Sequence, residues 1–243
     1  VGLSRQQVVA GLLAEYEVFA SLVEPLDVTE WNTATRCVGW LTRDVAAHVL
    51  GNAIDTATGA IGSRSPDEQA RALRVRDPMS LAAELRRTAA RLSPTLFRLD
   101  AARWTAPVPL HDYTVGEGIL TLWYDAVVHG DDIRAALGHP PTRGPGLIAA
   151  LECVVQRLQQ RGWGPAHLTL DGIDEFSIGT GGPVLRGDPW QFLLVATGRA
   201  DPRTLGLDDR VCIYRPPGDT EITGAGDGRP DGSIDSPDLR QRP

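Results

Sequence analysis

The sequence contains no lysine; all 24 basic residues are arginine, against 31 acidic ones, giving a formal net charge of −7. With no basic stripe along the chain, that balance argues against a nucleic-acid-binding role. The arginine bias suits carboxylate recognition. Cysteine is scarce: Cys37, Cys153 and Cys212 are odd in number, widely spaced and form no CxxC. They make no disulfide framework and fit a reducing cytoplasm. No run of about 18 or more apolar residues occurs, so no membrane-spanning helix is expected. No basic segment followed by an apolar run opens the chain, so no signal peptide is expected. Internal repeats are absent. What is present, 42% hydrophobic and 23% charged residues over 243 positions, is ordinary for a globular protein of one large or two modest domains.

Chemistry concentrates in Thr121–Arg134. Ile119, Leu122, Trp123, Ala126, Ile133 and Leu137 recur at three- and four-residue intervals, the pattern of an amphipathic helix. Asp125 and His129 are four apart and leave the same face one turn apart, with Asp132 continuing the line. Such a pair can hold a divalent metal, or simply hydrogen-bond on a wet face. Upstream, Thr42 is a candidate N-cap, with Asp44 in the first turn of a helix over Arg43–Ile54. There Leu41, Val45, His48 and Asn52 share a face, so His48 points to the packed side, as a core histidine or a third ligand. Cys37, just before this helix, reads as connector packing.

The remaining elements follow from caps and periodicity. Ser4 and Gln7 form a capping box before the stripe Val8, Leu12, Tyr16, Phe19 and Val23, and Pro25 stops that helix. Gly62–Asp77 is polar and reads as a surface loop. Asp77-Pro78 opens a helix through Leu81, Leu85, Ala89, Leu92 and Leu96, with Pro94 as a kink or early stop. Ala101–Tyr113 reads as a connector. Thr114 and Glu117 make the capping box of the Asp125/His129 helix, which ends near Gly138. Four amphipathic helices before Pro141 suggest a bundle, whose interior can join His48 to Asp125 and His129. Beyond it, Pro145–Arg161 reads as a helix. His167–Asp171, Phe176–Ile178, Val184-Leu185 and Val211–Tyr214 read as strands, and Trp190–Thr197 as a helix begun at Asp188-Pro189. This gives a helical domain over 1–141, a small α+β domain over 142–215, and a Pro/Gly/Asp-rich tail over 216–243 expected to be weakly ordered.

Three pieces converge on a family. Trp40-Leu-Thr-Arg-Asp-Val-Ala-Ala-His48, Asp125-Ala-Val-Val-His-Gly-Asp-Asp132 and Leu193-Leu-Val-Ala-Thr-Gly-Arg199 resemble the mycothiol-dependent maleylpyruvate isomerase family of the DinB-like metalloenzyme superfamily. The resemblance covers roughly residues 4 to 214. It implies an N-terminal DinB-like four-helix bundle carrying a metal, then a small sterol-carrier-like α+β domain. His48, Asp125 and His129 take the places of the family's metal ligands, with aspartate at 125 where glutamate is usual. Asp132 matches an acidic position common after the last ligand, suited to orienting an imidazole or to a plain structural role. Arg199 matches a Gly-Arg near the end of a C-terminal helix, where it could grip a substrate carboxylate or close a helix-end salt bridge. Arg199 and Asp132 are thus the candidate catalytic residues, with Arg134 the reserve cation for cofactor binding.

Two imidazoles and a carboxylate leave a coordination position open, as catalytic sites require. The resemblance implies that this site holds a divalent ion, zinc first among the choices, and takes mycothiol as thiol cosubstrate. The thiolate would add to an activated double bond, allow rotation and leave, or stay attached in an S-transfer. The partner expected is a small molecule, with no nucleic acid or membrane; oligomeric state is not readable. Two other readings stay open: a biosynthetic enzyme of specialised metabolism on the same scaffold, and a non-enzymatic small-molecule binder.

Overall fold

The computed structural model describes residues 2–109 and 112–214; the expected tail over 216–243 lies outside them. The chain begins with helix α1 (Arg5–Val23), whose Ser4/Gln7 capping box is formed as the spacing predicts, and whose stripe Val8, Leu12, Tyr16, Phe19 and Val23 is buried. A single turn, α2 (Val28–Trp31), is capped by Asp27 and Glu30. Helix α3 (Thr42–Thr58) starts one residue earlier than expected. Leu41 is its N-cap, and the side chain of Asp44 accepts from the Leu41 N–H at 3.0 Å. Thr42 is therefore the first helical residue and not the cap.

The stretch expected to be a surface loop contains a helix, α4 (Pro66–Leu73). Ser65 and Glu68 form a complete capping box around Pro66, and proline at the first helical position is preset for the turn. The apolar pattern is weak because α4 buries only Gln69 and Ala70, so periodicity misses it. It packs tightly on α3 at Gly51, where a Cβ would lie 2.6 Å from that of Gln69. Helix α5 (Pro78–Phe97) runs through Pro94 rather than stopping there. Proline forfeits one intrahelical bond near the end, while Leu92 and Leu96 on either side remain buried. One turn of helix, α6 (Ala101–Trp104), interrupts the expected connector. Helix α7 (Val115–Ala136) opens on the Thr114/Glu117 capping box.

Helices α1, α3, α5 and α7 pack in a closed cycle: α1 on α5 and α7, and α3 on the same two. Helix α8 (Pro145–Gln160) lies against α7 and α1. Three strands follow, β1 (Ala166–Leu170), β2 (Phe176–Ile178) and β3 (Val184–Gly187), in the order β2-β1-β3. β1 is antiparallel to β2, with Ala166 opposite Ile178, and parallel to β3, with His167 opposite Val184. Helix α9 (Pro189–Ala196), capped by Asp188, packs on α8. The expected strand at Val211–Tyr214 is instead the end of a 3-10 turn (Asp209–Val211), an extended Cys212 and a turn at Ile213-Tyr214. This segment is held by Ile213 N–H donating to the Ala196 carbonyl at 2.9 Å and by Arg161 donating to the Ile213 carbonyl. One continuous apolar core runs from α1 to Ile213. The molecule is mostly helical with a small sheet, and among the described residues no helix is long and apolar enough to cross a membrane.

Candidate metal centre

His48 projects from α3 and Asp125 and His129 from α7, and the cycle of helices brings the three together. His48 Nε2 lies 3.4 Å from Asp125 Oδ2, and His129 Nε2 lies 3.4 Å from Asp125 Oδ1. Two ligands each about 2.0–2.1 Å from a tetrahedral ion stand about 3.4 Å apart, so the donors have a metal's spacing. Aspartate at 125 therefore reaches both imidazoles despite its shorter side chain. The imidazoles meet edge to face, 5.1 Å between centroids, and the Trp40 indole covers both, at 5.3 Å from His48 and 6.2 Å from His129.

Each imidazole is aimed by its other nitrogen. His48 Nδ1 lies 2.7 Å from Gln69 Oε1. Gln69 in turn donates to Asp55 Oδ2 at 2.7 Å and Asn52 Oδ1 at 2.9 Å, and Asn52 donates to Asp125 Oδ2 at 3.0 Å. Arg64 closes this chain by pairing with Asp55. His129 Nδ1 lies 3.0 Å from Asp132 Oδ2. Asp132, fully buried, also accepts from Arg199 Nε at 2.8 Å, Arg199 Nη2 at 2.7 Å, Arg36 Nε at 3.2 Å and the Cys37 thiol at 3.2 Å. Both patterns leave Nε2 facing the shared carboxylate, the arrangement that metal-binding histidines use.

A second set of donors, Cys37, His129 and Asp132, also lies within ligating distance. It is the poorer cation site, because Asp132 is already saturated by Arg36 and Arg199, whose charges repel an ion. Burial disfavours charge on Asp125, but His129 and His48 outweigh it and hold the carboxyl well below its usual range. Burial likewise opposes the imidazolium of His129, yet Asp125, Asp132 and Cys37 together hold it well above the ordinary histidine range. Asp132 is pulled down against burial by His129 and Arg199.

Of the other sequence candidates, Arg199 and Asp132 meet each other and the centre. Gly198, in the left-handed region at φ 72°, ends α9 and turns Arg199 back toward α7. Arg134 does not join them. It is buried among Gly130, Glu15 and Asp131, and burial lowers the pKa of its guanidinium while the two carboxylates oppose that. Four participants escaped the sequence reading or were misjudged by it. Cys37 and Arg36 sit in a loop closed by the Ala34–Leu41 bridge and bind Asp132, so Cys37 is no mere connector filler. Gln69 was hidden in the misread α4, where the Ser65-Pro66-Asp67-Glu68 capping box was the available signal. Arg157 of α8 faces the centre from across a polar chamber of about 430 Å³, which Tyr214 and Arg199 also line. It donates to Thr121 Oγ1 at 3.1 Å and lies 5.5 Å over the Tyr124 ring. Among the described residues no carboxylate pairs with it.

Comparison with known proteins bears on the fold and the family. No curated protein sequence matches. Two solved structures share the fold, a mycothiol-dependent maleylpyruvate isomerase (17% identity, TM-score 0.62) and a histidine-to-alanine mutant of one (16%, 0.61). Each alignment covers 85% of this chain and 96% of that one. The family model of the mycothiol maleylpyruvate isomerase N-terminal domain matches residues 12–134, from within α1 to just past His129. A match over half the sequence, enclosing all three donors and the helices that aim them, goes beyond shared motifs: the chain belongs to the mycothiol maleylpyruvate isomerase N-terminal domain family.

Proposed function

We propose that the protein is a metal-dependent enzyme that uses mycothiol to isomerise an unsaturated small molecule, with S-transfer to an electrophile as the variant chemistry. The observation that carries this reading is the 3.4 Å spacing of His48 Nε2 and His129 Nε2 from the two oxygens of Asp125. His48, Asp125 and His129 would hold the ion, zinc first, within a DinB-like four-helix bundle formed by residues 1–141. Residues 142–215 would be the sterol-carrier-like α+β domain that closes one side. A divalent ion bound there supplies Lewis acidity that lowers the pKa of a thiol ligating it.

The chain's own residues do the rest. Gln69 and Asp132 fix the imidazole tautomers. Arg199 acts as a positioning residue, because two of its nitrogens are already bound to Asp132. Arg157, whose described partners are the Thr121 hydroxyl, the Tyr124 ring and the Cys153 thiol and include no paired carboxylate, is the cation for a substrate carboxylate. Trp40 and the Tyr124–Tyr214 pair, 2.7 Å between hydroxyls, line the chamber. Arg134 keeps the place of a reserve cation only for a cofactor that reaches the Glu15 side of α7.

The test is metal content by elemental mass spectrometry on wild type and Asp125→Ala, followed by isomerisation of cis-unsaturated acids with and without mycothiol. About one divalent ion per chain, lost in the variant, with turnover only when thiol is present, is the expected outcome. Wild type that stays metal-free after zinc incubation would sink the metal-dependent reading and leave the binder or a metal-free biosynthetic enzyme.

A further inference from the structure

A second, apolar chamber of about 350 Å³ lies between α5 and α7, beneath the start of α4. Leu92, Leu96, Leu99, Val108, Ile119 and Leu122 supply much of its apolar wall. It shares Asn52, Pro66, Thr121 and Asp125 with the polar chamber, so a group filling it abuts the carboxylate between the two histidines. Among its described lining residues only Arg64 and Asp125 are charged, and Arg64 is paired with Asp55. An anion entering it finds no free cation, whereas the polar chamber offers Arg157.

We infer that the protein's electrophilic substrate carries an uncharged hydrocarbon body, which lodges in this chamber while its polar end faces Arg157. The inference rests on the site reading above and adds the substrate class to it. A cavity of about 150 Å³ holds benzene, so this one has room for roughly a fused bicyclic ring or a medium-length alkyl chain. A compact dianion would leave the chamber's leucines unused.

The test is binding, read apart from turnover. The full chain, zinc-loaded and chelated, is titrated with an uncharged propionyl-dimethylaminonaphthalene fluorophore, then competed with neutral alkyl enones of increasing chain length. Saturable binding of one probe per chain is expected, with each added methylene tightening competition about fourfold until the chamber is full. Leu122→Trp and Leu99→Trp, each filling the chamber from a different wall, should weaken the probe at least about tenfold at unchanged zinc content. Absence of saturable binding overturns the inference. So does binding indifferent to both tryptophans, in variants whose circular dichroism matches wild type, or competition flat with chain length. Retained zinc with no probe binding sinks this inference alone; saturable probe binding by a protein that takes up no zinc sinks the metal reading alone.

Discussion

The two histidines of the centre face one carboxylate but are supported by opposite chemistries. Behind His48 stands a neutral amide, Gln69, and only behind that a carboxylate, Asp55. Behind His129 stands a carboxylate directly, Asp132, held by two arginines and a thiol. A neutral acceptor fixes a tautomer without raising basicity, whereas a carboxylate does both. His48 is thus a candidate ligand aimed by a neutral amide, and His129 one aimed by a carboxylate. Asp125, Asp132 and Cys37 favour the imidazolium of His129, so a cation bound there would compete with a proton.

Removing the shared partner erases the comparison. Asp125→Ala should abolish stoichiometric metal, read by elemental mass spectrometry, because each imidazole loses its common neighbour. Asp132→Asn breaks only the charged side. Zinc affinity should fall about 10- to 100-fold in a chelator competition. Leaving Arg199 buried without its carboxylate should cost about 3–5 kcal/mol in denaturant unfolding. Unchanged stability there would mean that Arg199 finds another anion.

That competition predicts a pH dependence. His129 has a raised pKa in the metal-free fold, so below that value each binding event expels a proton. Zinc affinity should climb by up to about tenfold per pH unit from the ordinary imidazole range, and level off above the raised pKa. In Asp132→Asn the levelling should begin at lower pH. The same raised pKa stabilises the metal-free fold fully below the ordinary imidazole pKa, and that contribution is lost as pH rises through the folded value. Melting of chelated protein across this window reads it. On the neutral side, Gln69→Leu should weaken zinc by only about tenfold and leave the pH profile in place, since no charge is removed. A pH shift as large as that of Asp132→Asn would end the distinction between the two sides.

Much of this was legible in the sequence, and the reason is locality. The capping boxes at Ser4/Gln7 and Thr114/Glu117 are three-residue patterns, and Asp125 with His129 is a four-residue one, so periodicity reveals them. His48 joined them only through helix packing, which the bundle reading allowed and the resemblance implied. Arg36, Cys37 and Gln69 act across sequence separations that no spacing encodes. Val211–Tyr214 has strand-like composition, yet the described sheet ends at β3. Tertiary context instead uses Ile213 to tie the tail to α9 and Tyr214 to wall the chamber.

The contact of Gly51 with Gln69 makes α3 and α4 one inheritable unit. A designer who grafts His48, Asp125 and His129 onto another bundle carries the ligands but not the acceptor that chooses the His48 tautomer. In natural variants, the polar stretch between Gly62 and Asp77 resembles tolerant surface, yet one residue inserted within α4 ahead of Gln69 would rotate that side chain off its histidine. Drift in metal preference within such proteins is therefore to be sought in this outer hairpin, where the ligands themselves stay the same.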